Sequence, residues 1–229
     1  MKVRDVMTAA VASVGPDTAV EGIARLLQGK RISAVPVVDP DDRLVGIVSE
    51  GDLVRRPEIG TERPRSWWLR HFGDPTALAA DYARTHGLKA RDVMTREVAV
   101  AAEDLDLAEA ATLLETHRVK RLPVVRDGRV VGIVSRADLV RALASAGPVP
   151  ADAPDADRSI RERLIAALRT QPWVAPHEVN IVVHDGTVHL WGLVRSEEER
   201  PAVRVAAERT PHVRAVEDHL VVQPLVRWD

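Results

Sequence analysis

A serine and an aspartate three residues apart recur at two places in the chain. Ser49 with Asp52, and Ser135 with Asp138, each follow the tripeptide Gly-Ile-Val. A helix that begins after the serine presents free N–H groups and a positive dipole end, which suit a phosphate. The carboxylate can accept two hydrogen bonds from the vicinal diol of a ribose. These groups together indicate a ribonucleotide site, but an ordinary capping box has the same spacing, and both interpretations stay open.

The two motifs belong to a longer internal duplication. Residues 3–8 return as residues 90–95, and residues 43–55 return as residues 129–141. A duplication this close predicts two copies of one structural unit, related by a pseudo-twofold axis. Such a pair has two equivalent clefts, and function is expected there.

The sequence of each copy predicts an extended segment at its start, here called the lead, followed by a helix, two strands and a second helix. In the first copy Asp17 or Thr18 caps a helix that Gly29 ends, because apolar residues recur between them at helical spacing. Short β-rich runs at 35–38 and 44–48 predict the two strands. The fold class is therefore mixed α/β (α+β).

Composition excludes several classes of protein. Of the 229 residues, 45% are hydrophobic and 29% are charged, which is typical of a globular protein. A net charge of −2 gives no bulk attraction to nucleic acid, so no nucleic-acid partner is expected. The chain has no cysteine, which excludes disulfides and thiolate metal sites. No apolar stretch suits a signal core or a membrane span, so a cytoplasmic location is expected.

Two segments interrupt or follow the duplication. The insert at 57–89 predicts helical pieces at 67–69 and 77–85. Its tryptophan pair offers a contact surface, although packing over the core is the favoured role for large aromatic side chains. A proline-rich and alanine-rich stretch at 144–157 predicts a linker and a domain boundary.

The region at 158–224 reads as helix, strand, strand, helix, strand. A helix is predicted from one apolar face, made of Ile160, Leu164, Ala167 and Leu168. Asp185 and Gly186 predict a two-residue hairpin turn. One face of the hairpin is predicted to enter the core through Val179, Ile181, Val183, Val188 and Leu190. The opposite face carries Asn180, Val182, His184, Thr187, His189 and Trp191.

No set of residues in the sequence predicts catalysis or a metal centre. The eight histidines lack metal-ligand spacing. His184 and His189 could meet diagonally across the hairpin, but two ligands without a third make a poor site. No Ser-His-Asp set, Walker loop or dinucleotide-binding glycine motif is present in the sequence. The protein is therefore expected not to be an enzyme and to require no cofactor.

The duplicated pattern resembles a tandem pair of cystathionine-β-synthase (CBS) domains. Its parts are the Asp-Val-Met-Thr leads, the Pro-Val-Val strands and the Gly-Ile-Val-Ser-x-x-Asp-Leu ends. The repeats would span 1–56 and 90–143. The resemblance implies up to two clefts for adenosine-containing ligands, in which the serine and aspartate hold phosphate and ribose. One cleft would then contain Ser49 and Asp52, and the other Ser135 and Asp138.

The two clefts differ in charge. Near the second are Lys120, Arg121 and Arg136. The corresponding positions of the first hold Ser33, Ala34 and Glu50. Because arginine and lysine suit phosphate, the Asp138 cleft is predicted to bind the phosphorylated ligand. The Asp52 cleft is expected to be weak, empty or selective for an uncharged adenosyl group.

The leads are predicted to cross between the copies. Ser13 and Val14 would then line the Asp138 cleft, and Ala101 would line the Asp52 cleft.

The C-terminal region at 158–224 resembles a BON domain, through its element order, its Val188-x-Leu190-x-Gly192-x-Val194 strand and the Ser-x-x-Glu that follows. The resemblance implies binding of a phospholipid or a protein partner. Trp191 is the candidate contact, with packing against the CBS pair as the favoured alternative.

These features predict a non-catalytic regulatory protein that binds AMP, ADP or ATP, with S-adenosylmethionine as another possible ligand. The ligand would rearrange a homodimer and so change what the BON domain contacts. The alternative is a constitutive adaptor with vacant clefts, whose BON domain binds a protein or phospholipid. A nucleotide-processing enzyme is a third, weaker hypothesis, because no nucleophile, base or metal cluster supports it.

Overall fold

The computed structural model describes residues 1–61, 75–145 and 154–223. The chain divides into two compact units. The first-repeat unit contains residues 12–98 and 127–130, and the second-repeat unit contains the remainder, including the C-terminal region. The mixed α/β class is confirmed. The tryptophan pair of the insert lies outside the described residues.

The N-terminal half of the chain contributes elements to both units. In order, the elements are α1 (Val3–Val6), α2 (Val20–Gly29), β1 (Ala34–Val38), β2 (Leu44–Ser49), α3 (Glu50–Leu53), a 3-10 turn (Pro57–Ile59), α4 (Pro75–His86) and α5 (Ala90–Val93). In the first-repeat unit, β1 and β2 pair antiparallel, and α2 packs on them through Ile23 and Leu27. Helix α2 begins after Ala19 without a side-chain cap, whereas Asp17 or Thr18 was expected to cap it.

The second repeat supplies β3 (Ala101–Ala102), α6 (Leu107–Thr116), β4 (Arg121–Arg126), β5 (Arg129–Ser135) and α7 (Arg136–Ser145). The three strands form a sheet in the order β3-β4-β5. Its core includes Leu114, Leu122 and Val134, and also Val3 and Val6 of α1. The first lead therefore helps to build the core of the second repeat.

The C-terminal region supplies α8 (Pro154–Arg169), β6 (Val179–His184), β7 (Thr187–Val194), α9 (Glu199–Glu208) and β8 (Ala215–Val222). Strands β6 and β7 pair antiparallel, and β7 and β8 pair parallel. Asp185 and Gly186 form the hairpin turn with φ of 48° and 72°, as an Asp-Gly turn predicts. Helical residues of α7 and α8 occupy both ends of the stretch predicted as a linker.

The hairpin face predicted for the core is buried beneath α8 and α9. On α8 the buried side chains include Ile160, Leu164 and Leu168, but Ala167 is exposed, contrary to expectation. The opposite hairpin face is also covered. Val182 is fully buried in the core of the second repeat, and Trp191 packs against that core. The C-terminal sheet therefore has apolar contacts on both of its faces.

Candidate functional site

The Ser49 and Asp52 motif forms one compact hydrogen-bonded turn at the end of β2. Oδ2 of Asp52 accepts the Ser49 N–H at 2.8 Å and the Ser49 hydroxyl at 2.7 Å. The Glu50 N–H donates to the Ser33 carbonyl at 3.0 Å, and Ala34 is the strand partner of Ser49. Asp52 is half-buried, and no donor among the described residues contacts its Oδ1. One carboxylate oxygen is thus used in capping, while the other is available.

The Ser135 and Asp138 motif repeats this turn at the end of β5. Oδ2 of Asp138 accepts the Ser135 N–H at 2.7 Å and its hydroxyl at 2.6 Å. The Arg136 N–H donates to the Lys120 carbonyl at 3.2 Å. In both copies Oδ2 of the aspartate therefore has the role expected in a capping box, because it accepts hydrogen bonds from the serine.

The remaining oxygen of Asp138 is occupied, unlike that of Asp52. Oδ1 of Asp138 accepts Nδ2 of Asn180 at 2.8 Å and a guanidinium N–H of Arg141 at 2.8 Å. Only 3% of Asp138 is exposed. A ribose hydroxyl could reach this oxygen only by displacing Asn180 or Arg141. The cleft that was expected to bind more strongly therefore has its diol acceptor covered.

Asn180 reaches Asp138 from β6 of the C-terminal sheet. Its Nδ2 also donates to the Val6 carbonyl at 3.0 Å, and the side chain is buried. Sequence reasoning placed Asn180 on the outer face of the hairpin without a role. The sequence did contain a signal that this face is covered, because Val182 and Trp191 on it are large apolar residues that favour burial.

Arg161 of α8 is a second contact that sequence reasoning missed. Its guanidinium donates to the carbonyls of Ile181 at 2.8 Å, Arg4 at 2.8 Å and Met7 at 2.5 Å. Burial lowers the pKa of Arg161 to about 10, so the side chain is still charged at neutral pH. This cation links the C-terminal region to the carbonyls at the end of α1.

Trp191 also lies against the second repeat. Its indole N–H donates to Oγ of Ser145 at 3.2 Å, and its ring stacks on His219 with 3.9 Å between centroids. This is the arrangement expected if Trp191 packs against the CBS domains and not against a separate partner.

The two leads lie beside different strands. The Val14 N–H donates to the Pro36 carbonyl at 3.0 Å, so Ser13 and Val14 lie by β1, in the unit that contains Asp52. Ala101 pairs with Val124 of β4, in the unit that contains Asp138. The lead changes unit after residue 11, before Ser13 is reached. The assignment of Ser13 and Val14 to the Asp138 cleft, and of Ala101 to the Asp52 cleft, stays a prediction.

The basic residues predicted near Asp138 have different environments. Lys120 and Arg136 are exposed and form no ion pair with any residue in the described ranges. Arg121 is half-buried in β4, and Glu50 of the first copy is exposed. The charge difference between the copies is therefore carried by exposed side chains, with Lys120 and Arg136 near one turn and Glu50 at the other.

Comparison with known proteins identifies both repeats and the C-terminal region. The CBS domain model matches residues 3–58 and 90–145, and the BON domain model matches residues 156–224. The chain belongs to the CBS domain proteins, and it carries a BON domain after its two CBS domains.

Relatives resemble the CBS part of the chain. Protein MJ1426 of Methanocaldococcus jannaschii is 36% identical over 154 residues, which are 62% of this chain and 91% of that protein. The chloroplastic CBSX1 of Arabidopsis thaliana is 36% identical over 135 residues, 56% of this chain. The match spans only 57% of the length of CBSX1. The crystal structure of CBSX2 in complex with AMP has 33% identity and a TM-score of 0.55, covering 62% of this chain and 96% of that one.

Within the described residues, no helix combines the length and the apolar character needed to cross a bilayer.

Proposed function

We propose that this protein is a non-catalytic regulator in which an adenosine-containing ligand controls the position of the BON domain. The similarity to CBSX2, whose structure contains AMP, supports an adenosine ligand. The observation that carries the proposal is the hydrogen bond from Asn180 to Asp138. The Asn180 amide donates to the same carboxylate oxygen that a ribose hydroxyl would use, so ligand and BON domain compete for it.

The two clefts then have different roles. Asp52 keeps one oxygen available and is half-buried, so its cleft can accept a ligand without displacing Asn180. At Asp138, phosphate would be attracted by the exposed Lys120 and Arg136, but the diol acceptor has to be released first. The apparent affinity at Asp138 is the intrinsic affinity multiplied by the fraction of molecules in which Asn180 has released the carboxylate.

Calorimetric titration of the full chain with AMP, ADP, ATP and S-adenosylmethionine tests this competition. The variant Asn180→Ala removes the competing donor and should tighten the binding that depends on Asp138 by about tenfold, equivalent to about 1.4 kcal/mol of coupling. Asp138→Ala should abolish that gain, whereas Asp52→Ala should leave it intact. Equal affinity in Asn180→Ala and the unmodified chain would contradict the competition.

The BON domain is the proposed output, through a protein or phospholipid partner, and the CBS domains are proposed to form a homodimer. Release from the second repeat would expose Val182 and Trp191, which are now packed on its core. Sedimentation with and without the ligand reports the oligomer. Flotation with anionic vesicles distinguishes a phospholipid surface from a protein partner.

A constitutive adaptor is the second candidate function. The buried Arg161 favours it, because its guanidinium bonds to the Arg4 and Met7 carbonyls and so holds the BON domain onto the end of α1. A ligand that binds the folded protein raises its melting temperature. If none of the four ligands shifts the melting temperature of either the unmodified chain or Asn180→Ala, the adaptor is the correct function.

A further inference from the structure

We propose that His189, Glu217 and His219 of the BON domain form a binding site for a divalent transition-metal ion of the zinc class. One ligand atom from each of the three side chains lies within 4.8 Å of the other two. The site is distinct from the Ser-x-x-Asp turns, because its residues belong to β7 and β8 of the C-terminal sheet.

Strand register brings the three residues together. In the parallel pairing of β7 and β8, His189 is opposite Glu217, and Trp191 is opposite His219. Glu217 and His219 are two positions apart in β8, so both side chains leave the sheet on one face. The sequence offered only His184 and His189 on the hairpin, and of these only His189 belongs to the site. The other two ligands, Glu217 and His219, come from a strand whose pairing the sequence did not indicate.

The ring nitrogens that face Glu217 make close contacts with its carboxylate but form no well-directed hydrogen bond. Nδ1 of His189 and Nε2 of His219 are both buried and unsatisfied within the described part of the chain. His189 is 6% exposed, so its nitrogen cannot be satisfied by bulk water. A buried polar atom without a partner costs free energy, and a bound cation would remove that cost.

Interatomic distances match a metal centre. Oε2 of Glu217 lies 3.2 Å from Nδ1 of His189 and 3.5 Å from Nε2 of His219. A tetrahedral zinc ion with bonds of about 2.0–2.1 Å separates its ligand atoms by about 3.4 Å. The two distances to Glu217 are therefore close to the tetrahedral value, and the two histidine nitrogens lie within 4.8 Å of each other.

The donor set defines the class of ion. Two imidazoles and one carboxylate suit Zn²⁺ and related divalent ions, and they leave a fourth position open. Glu217 is exposed, which gives an ion access from solvent.

Cobalt titration of the metal-free full chain tests the site. Co²⁺ should produce the visible absorption of a tetrahedral complex at one ion per chain, and Zn²⁺ should displace it. Glu217→Gln keeps size and surface position but removes the charge, and it should weaken Co²⁺ affinity by about 100-fold or more. His189→Ala should have the same effect.

A matched control separates this site from general histidine binding. His117 is exposed in the second repeat, and His117→Ala should leave the titration unchanged. Circular dichroism establishes that each variant is folded, and Glu217→Gln substitutes an exposed side chain, so its folding is secure. Absence of a tetrahedral Co²⁺ spectrum in the unmodified chain, or an unaltered titration of Glu217→Gln, would overturn the proposal.

Discussion

The side-chain amide of Asn180 donates to Oδ1 of Asp138 at 2.8 Å, and both groups are buried. In the first repeat the equivalent oxygen, Oδ1 of Asp52, has no donor among the described residues. Two nearly identical motifs therefore differ in how far their second carboxylate oxygen is occupied. One of the two donors to Asp138 is Asn180, from a domain outside the duplication, and the other is Arg141 of the second repeat itself.

Replacing Asn180 by aspartate should detach the BON domain from the second repeat. The change sets a second carboxylate against Asp138 and against the Val6 carbonyl, and like charges in a buried site repel strongly. Hydrogen exchange measures the result. Amides of α1 should exchange at least about tenfold faster, because they lose the packing of the BON domain, while β7 and β8 should keep their protection.

Asn180→Ala is the matched control for charge. It removes the donor without adding a carboxylate, so the change in exchange at α1 should be smaller than for Asn180→Asp. Unchanged exchange at α1 in Asn180→Asp would mean that the contact does not hold the domain in place.

Arg161→Met should lower the free energy of unfolding by about 3 kcal/mol or more. Methionine fills similar space but leaves the carbonyls of Ile181, Arg4 and Met7 without the donor that now satisfies them. Urea denaturation measures the loss. Arg163→Met is the control on the same helix, because Arg163 is exposed and should change stability by less than about 0.5 kcal/mol. Equal losses in both variants would assign the effect to helix α8 as a whole.

The sequence predicted the duplicated units, the hairpin turn and the buried hairpin face, because these depend on short-range patterns. Repetition of the Ser-x-x-Asp motif locates both turns, and Asp185 with Gly186 specifies the hairpin. Local patterns also predicted α4, whose bounds the structure gives as Pro75–His86.

Partners distant in the chain could not be predicted in the same way. Period-two alternation tells which residues share a face, but not which surface covers that face. Asn180 was correctly separated from the hairpin core, yet its partner Asp138 lies 42 positions away. The site of His189 and Glu217 depends on the parallel register of β7 and β8, which no local signal specifies.

Gly132→Ala should destabilise the second-repeat unit by about 1–3 kcal/mol. The glycine lies where the first lead crosses β5, and an added Cβ would overlap the sulfur of Met7. Thr8 exchanges two backbone hydrogen bonds with Ile133 at this point. The lead therefore cannot move away from β5 to relieve the overlap without breaking them. Thermal denaturation measures the change.

Met7→Ala in the Gly132→Ala background should recover part of the loss, because it removes the overlapping side chain. Gly29→Ala provides the matched control, since an added Cβ there meets nothing within 4 Å. Alanine favours a helix over glycine, so Gly29→Ala should be neutral or slightly stabilising. A Gly132→Ala protein as stable as Gly29→Ala would contradict the close approach of the lead.

Asp17 should make the first-repeat unit less stable in acid. Its carboxylate pairs with Lys89 at 2.8 Å and Arg91 at 2.7 Å, and the hydrogen bond from Lys89 followed by the charge of Arg91 lowers its pKa. Since the pKa in the folded state is below the unfolded value of about 3.9, the contribution is present above that pH and disappears as the pH falls through the folded pKa. Asp17→Asn should therefore reduce the fall in melting temperature on acidification, and added salt should have a similar effect because the pair is exposed. An NMR titration of the Asp17 carboxyl group measures the shift directly, and a midpoint at the unfolded value would contradict the pairing.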